Sequence, residues 1–353
     1  MRNCNLNIAV IADDLTSAAD GGSPFWSKGY QVSVWRGESF LSPPLTDVVS
    51  IDCASRSLDE HAAAQATSCA VNSVRGASVL YKTIDSTLRG HIRAEIGAAY
   101  HASKRNRLVI APAFPDAGRT TRNGVQYVHG ETVCKSNFAK DPVHPVISSK
   151  VIDYIPSDIH NVVILNAETQ QELNEQVATL GEFSTTLWVG SPGMAIALAH
   201  QMPFVPRATN QLLKTKSVLV VVGSANPISR LQASKLCFEH RALCLTPPDA
   251  RSLHPKKVLD ELINSAARSI DQFQAIIATG GDTMEAILNR LDILRFMLTG
   301  EIEPGFPIGT ANLADGRPIT LAIKAGGFGD ENTLLRAVQY LCTMTDVQSG
   351  NVK

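Results

Sequence analysis

Short apolar runs alternate with longer amphipathic stretches along nearly the whole chain, and this pattern constrains the fold more than any other feature. Runs suited to strands are Asn7–Ala12, Gln31–Val34, Val48–Asp52, Val79–Lys82, Leu108–Ala111, Val162–Asn166 and Thr186–Val189. Helical patterns fall between several of them, for example Leu58–Val74 and Pro192–Gln201. Strands separated by helices pair in parallel through right-handed crossovers, and such sheets present ligands at the carboxyl ends of their strands. From Gln201 the pattern lapses into QMPFVPRATNQLLKTK, with two prolines and no periodicity, which reads as a linker. A second series follows: strand Ser217–Val222, helix Ile228–His240, strand Ala242–Leu245, helix Lys257–Arg268 and strand Ala275–Ala278. After a helix and an irregular stretch come strand Ile319–Ile323 and helix Glu331–Met344. The expectation is an α/β protein of two domains, residues 1–205 and 216–353. Each has a mainly parallel sheet flanked by helices, with the active site in the interdomain cleft. A length of 353 residues suits two cores better than one.

Composition removes several function classes. Hydrophobic residues make up 44% and charged residues 18%, as in globular chains, and the formal net charge is -1. No general electrostatic pull toward nucleic acid or an anionic membrane follows from that balance. The seven cysteines form no CxxC pair, which fits a reducing compartment. The opening MRNCNLNIAVIADD has too short an apolar run for a secretory signal, and no stretch approaches the length of a membrane span. The expected location is cytoplasmic.

Three strand ends in the first half carry candidate chemistry. Asp13 and Asp14 directly follow the first strand. Adjacent residues there diverge, so one carboxylate can face a ligand hydroxyl while the other caps the next helix; both acting only as caps is the competing reading. KTIDSTLRG, Lys82 to Gly90, crowds Lys82, Asp85, Ser86, Thr87 and Arg89 into one turn. Arg89 can grip a carboxylate with two hydrogen bonds, Lys82 adds a compact positive charge, and Asp85 with the hydroxyls can hold sugar hydroxyls. A solvated basic helix face is the alternative. APAFPDAGRTTRNG, Ala111 to Gly124, adds Asp116, Arg119, Thr120, Thr121 and Arg122. The stretch from Phe114 to about Pro145 lacks periodicity and is expected to be a loop covering the substrate.

The second half supplies three glycine turns after strands: GSANP (Gly223 to Pro227), TGGDT (Thr279 to Thr283) and KAGGFGDEN (Lys324 to Asn332). Glycine admits backbone amides close to a ligand, and amides at a helix N-terminus bind phosphate. One such turn often only ends a strand; three in one parallel domain point to a nucleotide. GxxxxGK[ST], a GxGxxG after the first strand, HExxH and GxSxG are all absent, and the nine histidines form no ligand-spaced cluster.

Taken together, IADDLTSAAD, KTIDSTLRG, APAFPDAGRTTRNG, FAKDPVHPV, GSANP, ATGGDT, PGFPIG and LAIKAGGFGDE resemble, in this order, the motifs of the four-carbon acid sugar kinase family. The resemblance spans nearly the whole chain. It implies an amino-terminal acid-sugar-binding domain and a carboxyl-terminal ATP-binding domain. Carried over by motif, it places the acid sugar on Asp13, Asp14, Lys82, Asp85, Ser86, Arg89 and Arg119. ATP falls on Ser224, the turn Gly280, Gly281, Asp282 and Thr283, and the pair Gly326 and Gly327. The sequence departs from the family pattern at Ser17, which takes a glycine position, and in reading GGDT and AGGFG for GGET and SGNFG. The implied reaction moves the γ-phosphoryl group of ATP, with Mg²⁺ on its phosphates and Asp282 or Asp330 as outer contacts, to a hydroxyl, the terminal one, of a small sugar acid. Arg89, with Lys82 or Arg119, takes the substrate carboxylate, while Asp13, Asp14 or Asp85 orients or deprotonates the hydroxyl. A homo-oligomer is compatible with all of this. The alternatives are a catalytically weakened kinase homologue that senses nucleotide or metabolite, and a dinucleotide-dependent oxidoreductase.

Overall fold

β1 (Ile8–Ala12) is five apolar residues, all buried, and it sits near the middle of the first sheet. The computed structural model describes residues 8–37, 46–206, 215–224, 226–236, 239, 241–248 and 255–342. The chain divides into two compact units, residues 1–207 and 208–353.

In the first unit β1 is followed by α1 (Leu15–Ser27), β2 (Val32–Arg36), β3 (Val48–Asp52), α2 (Glu60–Ser73), β4 (Val79–Thr83), α3 (Ile92–Ser103) and β5 (Arg107–Ala111). Three short strands come next, β6 (Arg119–Arg122), β7 (Val125–Val128) and β8 (Glu131–Thr132), then β9 (Val162–Ile164), α4 (Gln170–Leu180), β10 (Thr186–Gly190) and α5 (Pro192–His200). The main sheet runs β2-β3-β1-β4-β10-β5-β9, parallel throughout. Its central strands are continuous apolar runs because helices cover both faces. On one face Ile11, Leu80, Ile110 and Val189 pack with Ala70 and Val71 of α2 and Ile96 and Ala99 of α3. The connections leaving β1 and β4 head in opposite directions across the sheet, so a crevice opens between the carboxyl ends of these neighbours.

The second unit contains β11 (Val218–Val222), α6 (Pro227–Ser234), β12 (Ala242–Leu245), α7 (Pro255–Ser269), β13 (Ala275–Thr279) and α8 (Gly281–Arg290). These are followed by β14 (Arg295–Glu301), β15 (Pro307–Asn312), β16 (Pro318–Lys324) and α9 (Thr333–Cys342). β12-β11-β13-β16 are parallel, and β15 and β14 extend the sheet antiparallel. Val220, Ile277 and Ala322 pack with Leu334 and Val338 of α9.

The expected α/β class therefore holds in both units, with strand bounds moved by a residue or two. The helix expected from Leu58 starts at Glu60, because Asp59 caps it by accepting the Ala62 N–H at 2.9 Å. The helix from Ile228 starts at Pro227 and ends at Ser234, and Asn7, Met344 and residues 207–214 of the expected linker lie outside the described residues. Two expectations need correction. The irregular stretch before the last strand contains β14 and β15, which pair antiparallel, β15 also pairing antiparallel with β16. The segment from Phe114 to Pro145 is no bare loop: β6, β7 and β8 form an antiparallel sheet, and short 3₁₀ turns such as Asn137–Lys140 follow.

The first part of the expected linker is tied down. Val205 donates its N–H to the Lys28 carbonyl at 2.8 Å, and the Tyr30 hydroxyl donates to Pro203 O at 3.0 Å. Gly29 makes this possible: its φ is +98°, and a Cβ there would lie 1.7 Å from Val205 O. Gly29→Ala is expected to lower stability by about 2–4 kcal/mol through backbone strain and overpacking. A urea midpoint equal to that of the unaltered chain would contradict this packing.

Candidate functional site

The β1, β3 and β4 ends lie side by side, since Ala12 pairs with Asp52 and Ile11 with Lys82. Each strand delivers its next few residues to one crevice. After β1, Asp13 is 3% exposed, and Asp14 caps α1 by accepting the Ser17 N–H at 2.7 Å. After β3 a 3₁₀ turn, Ser55–Ser57, carries Arg56. Arg56 Nε and Nη2 both donate to Asp13 Oδ2, at 2.8 and 2.7 Å, and Nη1 pairs with Asp14 Oδ2. After β4, Asp85 Oδ2 accepts from Thr87 Oγ1 at 2.5 Å and from Arg89 Nε at 2.6 Å.

Residues beyond β8 close over this group. Asp141 accepts from Arg89 Nη1 at 3.2 Å and from the N–H groups of Val143 and His144. The Phe138 ring lies 5.0 Å beneath the Arg89 guanidinium, and the His144 ring nitrogen lies 2.9 Å from Arg56 O. Ser86 contributes its carbonyl to Gln126 Nε2 at 2.8 Å, which anchors β7 to the same turn.

The electrostatics separate the three acids. Burial alone would raise the pKa of Asp13, but Arg56 and Lys82 outweigh it and hold the carboxyl below its ordinary value. Burial likewise opposes ionisation of Asp85, and Arg89 and Arg56 reverse that effect. Asp14 moves up: burial and its neighbour Asp13 exceed what Arg56 returns. Two of the buried side-chain atoms without a hydrogen-bond partner among the described residues belong to residues expected at this site. Asp13 Oδ1 is buried with no hydrogen-bond partner, and so is Arg119 Nε. Arg119 donates only to Ala117 O through Nη1, and burial lowers its pKa.

Lys82, expected in the substrate set, is placed inward. It is fully enclosed, its ammonium lies 2.8 Å from Glu95 Oε2 and it donates to Thr83 O at 2.7 Å. The other Glu95 oxygen accepts from Ser55 Oγ at 2.5 Å, so this buried ion pair steadies the turn that holds Arg56. Glu95, Arg56 and Asp141 were not singled out from the sequence. The position of Arg56 just after a strand end was the one available signal.

In the second unit the three glycine turns follow adjacent strands in register, with Val222 opposite Thr279 and Thr279 opposite Lys324. They converge tightly: a Cβ on Gly326 would lie 2.3 Å from Ser224 Oγ, and Gly280 takes φ +94° as the cap of α8. Gly280 N–H donates to Lys324 O at 2.8 Å. Thus Ser224, Gly280, Gly281, Asp282, Thr283, Gly326 and Gly327 come together at these strand ends, with Asp282 exposed in the first turn of α8, while the Thr283 N–H, like that of Gly280, is taken inside the protein, donating to Gly280 O at 3.2 Å. Among the described residues no group of three or more His, Cys, Asp or Glu side chains is placed to hold a metal ion, and no helix is long and apolar enough to cross a membrane.

Comparison with known proteins matches residues 8–179 to a sugar-binding N-terminal domain and residues 248–334 to a nucleotide-binding C-terminal domain. A D-threonate kinase of Bordetella bronchiseptica is 31% identical over 95% of this chain and 97% of its own length. A D-erythronate kinase of Heliobacterium modesticaldum is 26% identical over 84% of this chain and 76% of its own. The crystal structure of Haemophilus influenzae protein HI1011 superposes with a TM-score of 0.73 at 20% identity, over 94% of this chain and 99% of its own, a likeness of fold. A domain of unknown function (DUF1537) from Bordetella bronchiseptica, a domain-swapped dimer with bound citrate, is 28% identical with a TM-score of 0.50 over 96% and 98% of the two chains.

Removing one partner of the buried pair leaves the other charge uncompensated. Glu95→Gln is expected to cost about 3–5 kcal/mol, and the double change Lys82→Met with Glu95→Met to recover much of it. Equal urea midpoints for Glu95→Gln and the unaltered chain would contradict the pairing.

Proposed function

Because the chain belongs to the four-carbon acid sugar kinase family, we propose that it transfers the γ-phosphoryl group of ATP to a hydroxyl of a four-carbon sugar acid. D-threonate, D-erythronate and 3-oxo-tetronate, the acids named for its relatives, are the first candidates. The observation that carries this reading is that two expected site residues of the first unit each keep a buried atom with no hydrogen-bond partner, Arg119 its guanidinium Nε and Asp13 its carboxylate Oδ1. A sugar acid offers one complement to each, a carboxylate and a hydroxyl. Arg56 and Arg89 already share their charge with Asp13, Asp14, Asp85 and Asp141. Arg119 is therefore the better holder of the substrate carboxylate, with Ser86 offering its hydroxyl from the turn that carries Asp85. The citrate in the Bordetella structure is likewise a carboxylate ligand.

Phosphoryl transfer passes through a loose transition state and asks little of a base. An Asp13 kept ionised by Arg56 suits that demand, because it needs only to orient the hydroxyl and accept its proton late. Asp14 and Asp85 hold the geometry around it. The glycine turns, from Ser224 to Gly327, bind the phosphates through their amides. Mg²⁺ would be held largely by phosphates with one or two carboxylates and would neutralise phosphate charge. Asp282 is the available carboxylate, since Asp330 is engaged by Arg336 at 2.9 Å. The domain-swapped relative makes a homodimer the assembly to look for.

ADP release measured with ATP and each acid tests the reading. Asp13→Asn is expected to lower kcat about 10²–10⁴-fold, the usual range for a proton-handling group. Arg119→Met should chiefly raise KM for the acid, by roughly 10²-fold, the cost of leaving a charged partner unpaired. Full turnover in Asp13→Asn, or no ADP from any four-carbon acid, would reject the assignment. ATP binding without transfer would favour a catalytically weakened homologue instead.

A further inference from the structure

Two lysines end parallel strands and are wholly enclosed, Lys82 on β4 and Lys324 on β16. Lys82 has Glu95 as counter-ion. Lys324 has only main-chain carbonyls: its ammonium lies 2.9 Å from Ala325 O, 3.3 Å from Gly326 O and 3.0 Å from Phe328 O. Its three N–H donors are matched by three acceptors, so none remains for a ligand. A buried cation with no opposite charge is unfavourable, and a fold keeps one most readily where negative charge arrives from outside.

The carbonyls it gathers belong to the turn that packs against Ser224. Ser229 Oγ also donates to Gly326 O at 2.5 Å, and Gln232 Nε2 to Phe328 O at 3.0 Å, so the turn is held by its oxygens. Among the described residues the N–H groups of Gly326 and Gly327 donate to no protein acceptor. Oxygens drawn to one side and amides left open on the other give the geometry of an anion nest.

Resting on the nucleotide reading above, we infer that Lys324 is a positioning residue for phosphate: it holds the carbonyls of residues 325–328 inward so that the Gly326 and Gly327 amides face a bound nucleotide, whose negative charge becomes its counter-charge. Burial lowers the Lys324 pKa to about 8, and no neighbouring charge contributes. The charged side chains on the surrounding elements are Arg230 on α6, Asp282, Glu285 and Arg290 on α8, and Asp330, Glu331 and Arg336 at the head of α9; Ser224 after β11 and Thr279 on β13 are uncharged. Phosphate favours the protonated amine, so nucleotide affinity is full below about pH 8 and declines as pH rises through that value.

Calorimetry on the full chain with MgADP, and with adenosine as the phosphate-free control, from about pH 7 to 9.5 in buffers of different ionisation enthalpy, reads this directly. ADP affinity is expected to fall roughly tenfold across that range with proton uptake at the alkaline end, while adenosine binding shows neither effect. Lys324→Met should weaken ADP roughly tenfold at neutral pH and remove the pH dependence. ADP binding in the unaltered chain with constant affinity and no proton uptake would overturn the role of Lys324 alone, whether or not the variant folds. Wild-type ADP affinity in Lys324→Met would do the same. No ADP binding at any pH would overturn the nucleotide reading, and this inference with it.

Discussion

Arg56 stands between two carboxylates, and the first unit's site depends on that contact. Asp13 and Asp14 are neighbours in sequence at a strand end, and burial disfavours ionising either. Placed there without a cation they would repel each other and one would take up a proton. The guanidinium lets Asp13 stay ionised while its other oxygen remains unpartnered. The support for Arg56 is itself buried: Lys82 and Glu95 fix Ser55, and His144 fixes the Arg56 carbonyl. A charged network of this kind is costly to desolvate and costly to break, which gives it one arrangement rather than several.

The second unit solves a different problem by different means. Three glycine turns meet there at strand ends aligned by register, and its buried cation is met by main-chain carbonyls rather than by a carboxylate. Ionic clamps suit a small acid whose hydroxyls must be told apart, whereas an amide cradle suits phosphate, which offers many equivalent oxygens. The division agrees with the sugar-binding and nucleotide-binding domains matched in the two halves.

Much of this was legible in the sequence where the physics is local. The apolar run of β1 followed by two aspartates, and the glycine turns after β11, β13 and β16, announce themselves because strand period and glycine placement act over a few residues. Arg56 was hidden because its importance comes from β3 lying beside β1, a non-sequential neighbour set by crossover topology. The Lys82 ion pair is hidden for a similar reason: its partner Glu95 is on the following helix, and nothing in KTIDSTLRG reveals that the ammonium turns inward. β6 to β8 are too short, at two to four residues, to show a period. β14 hides its period although its burial does alternate, because the exposed Met297 between buried Phe296 and Leu298 makes three apolar residues run together.

A double-mutant cycle on Arg56→Gln and Asp13→Asn, read as the calorimetric affinity for the sugar acid, addresses the clamp most directly. Residues that act as one unit couple, and the account predicts a coupling energy of about 1–3 kcal/mol between these two. Strictly additive losses would mean that Arg56 and Asp13 serve the ligand independently, and would contradict the account.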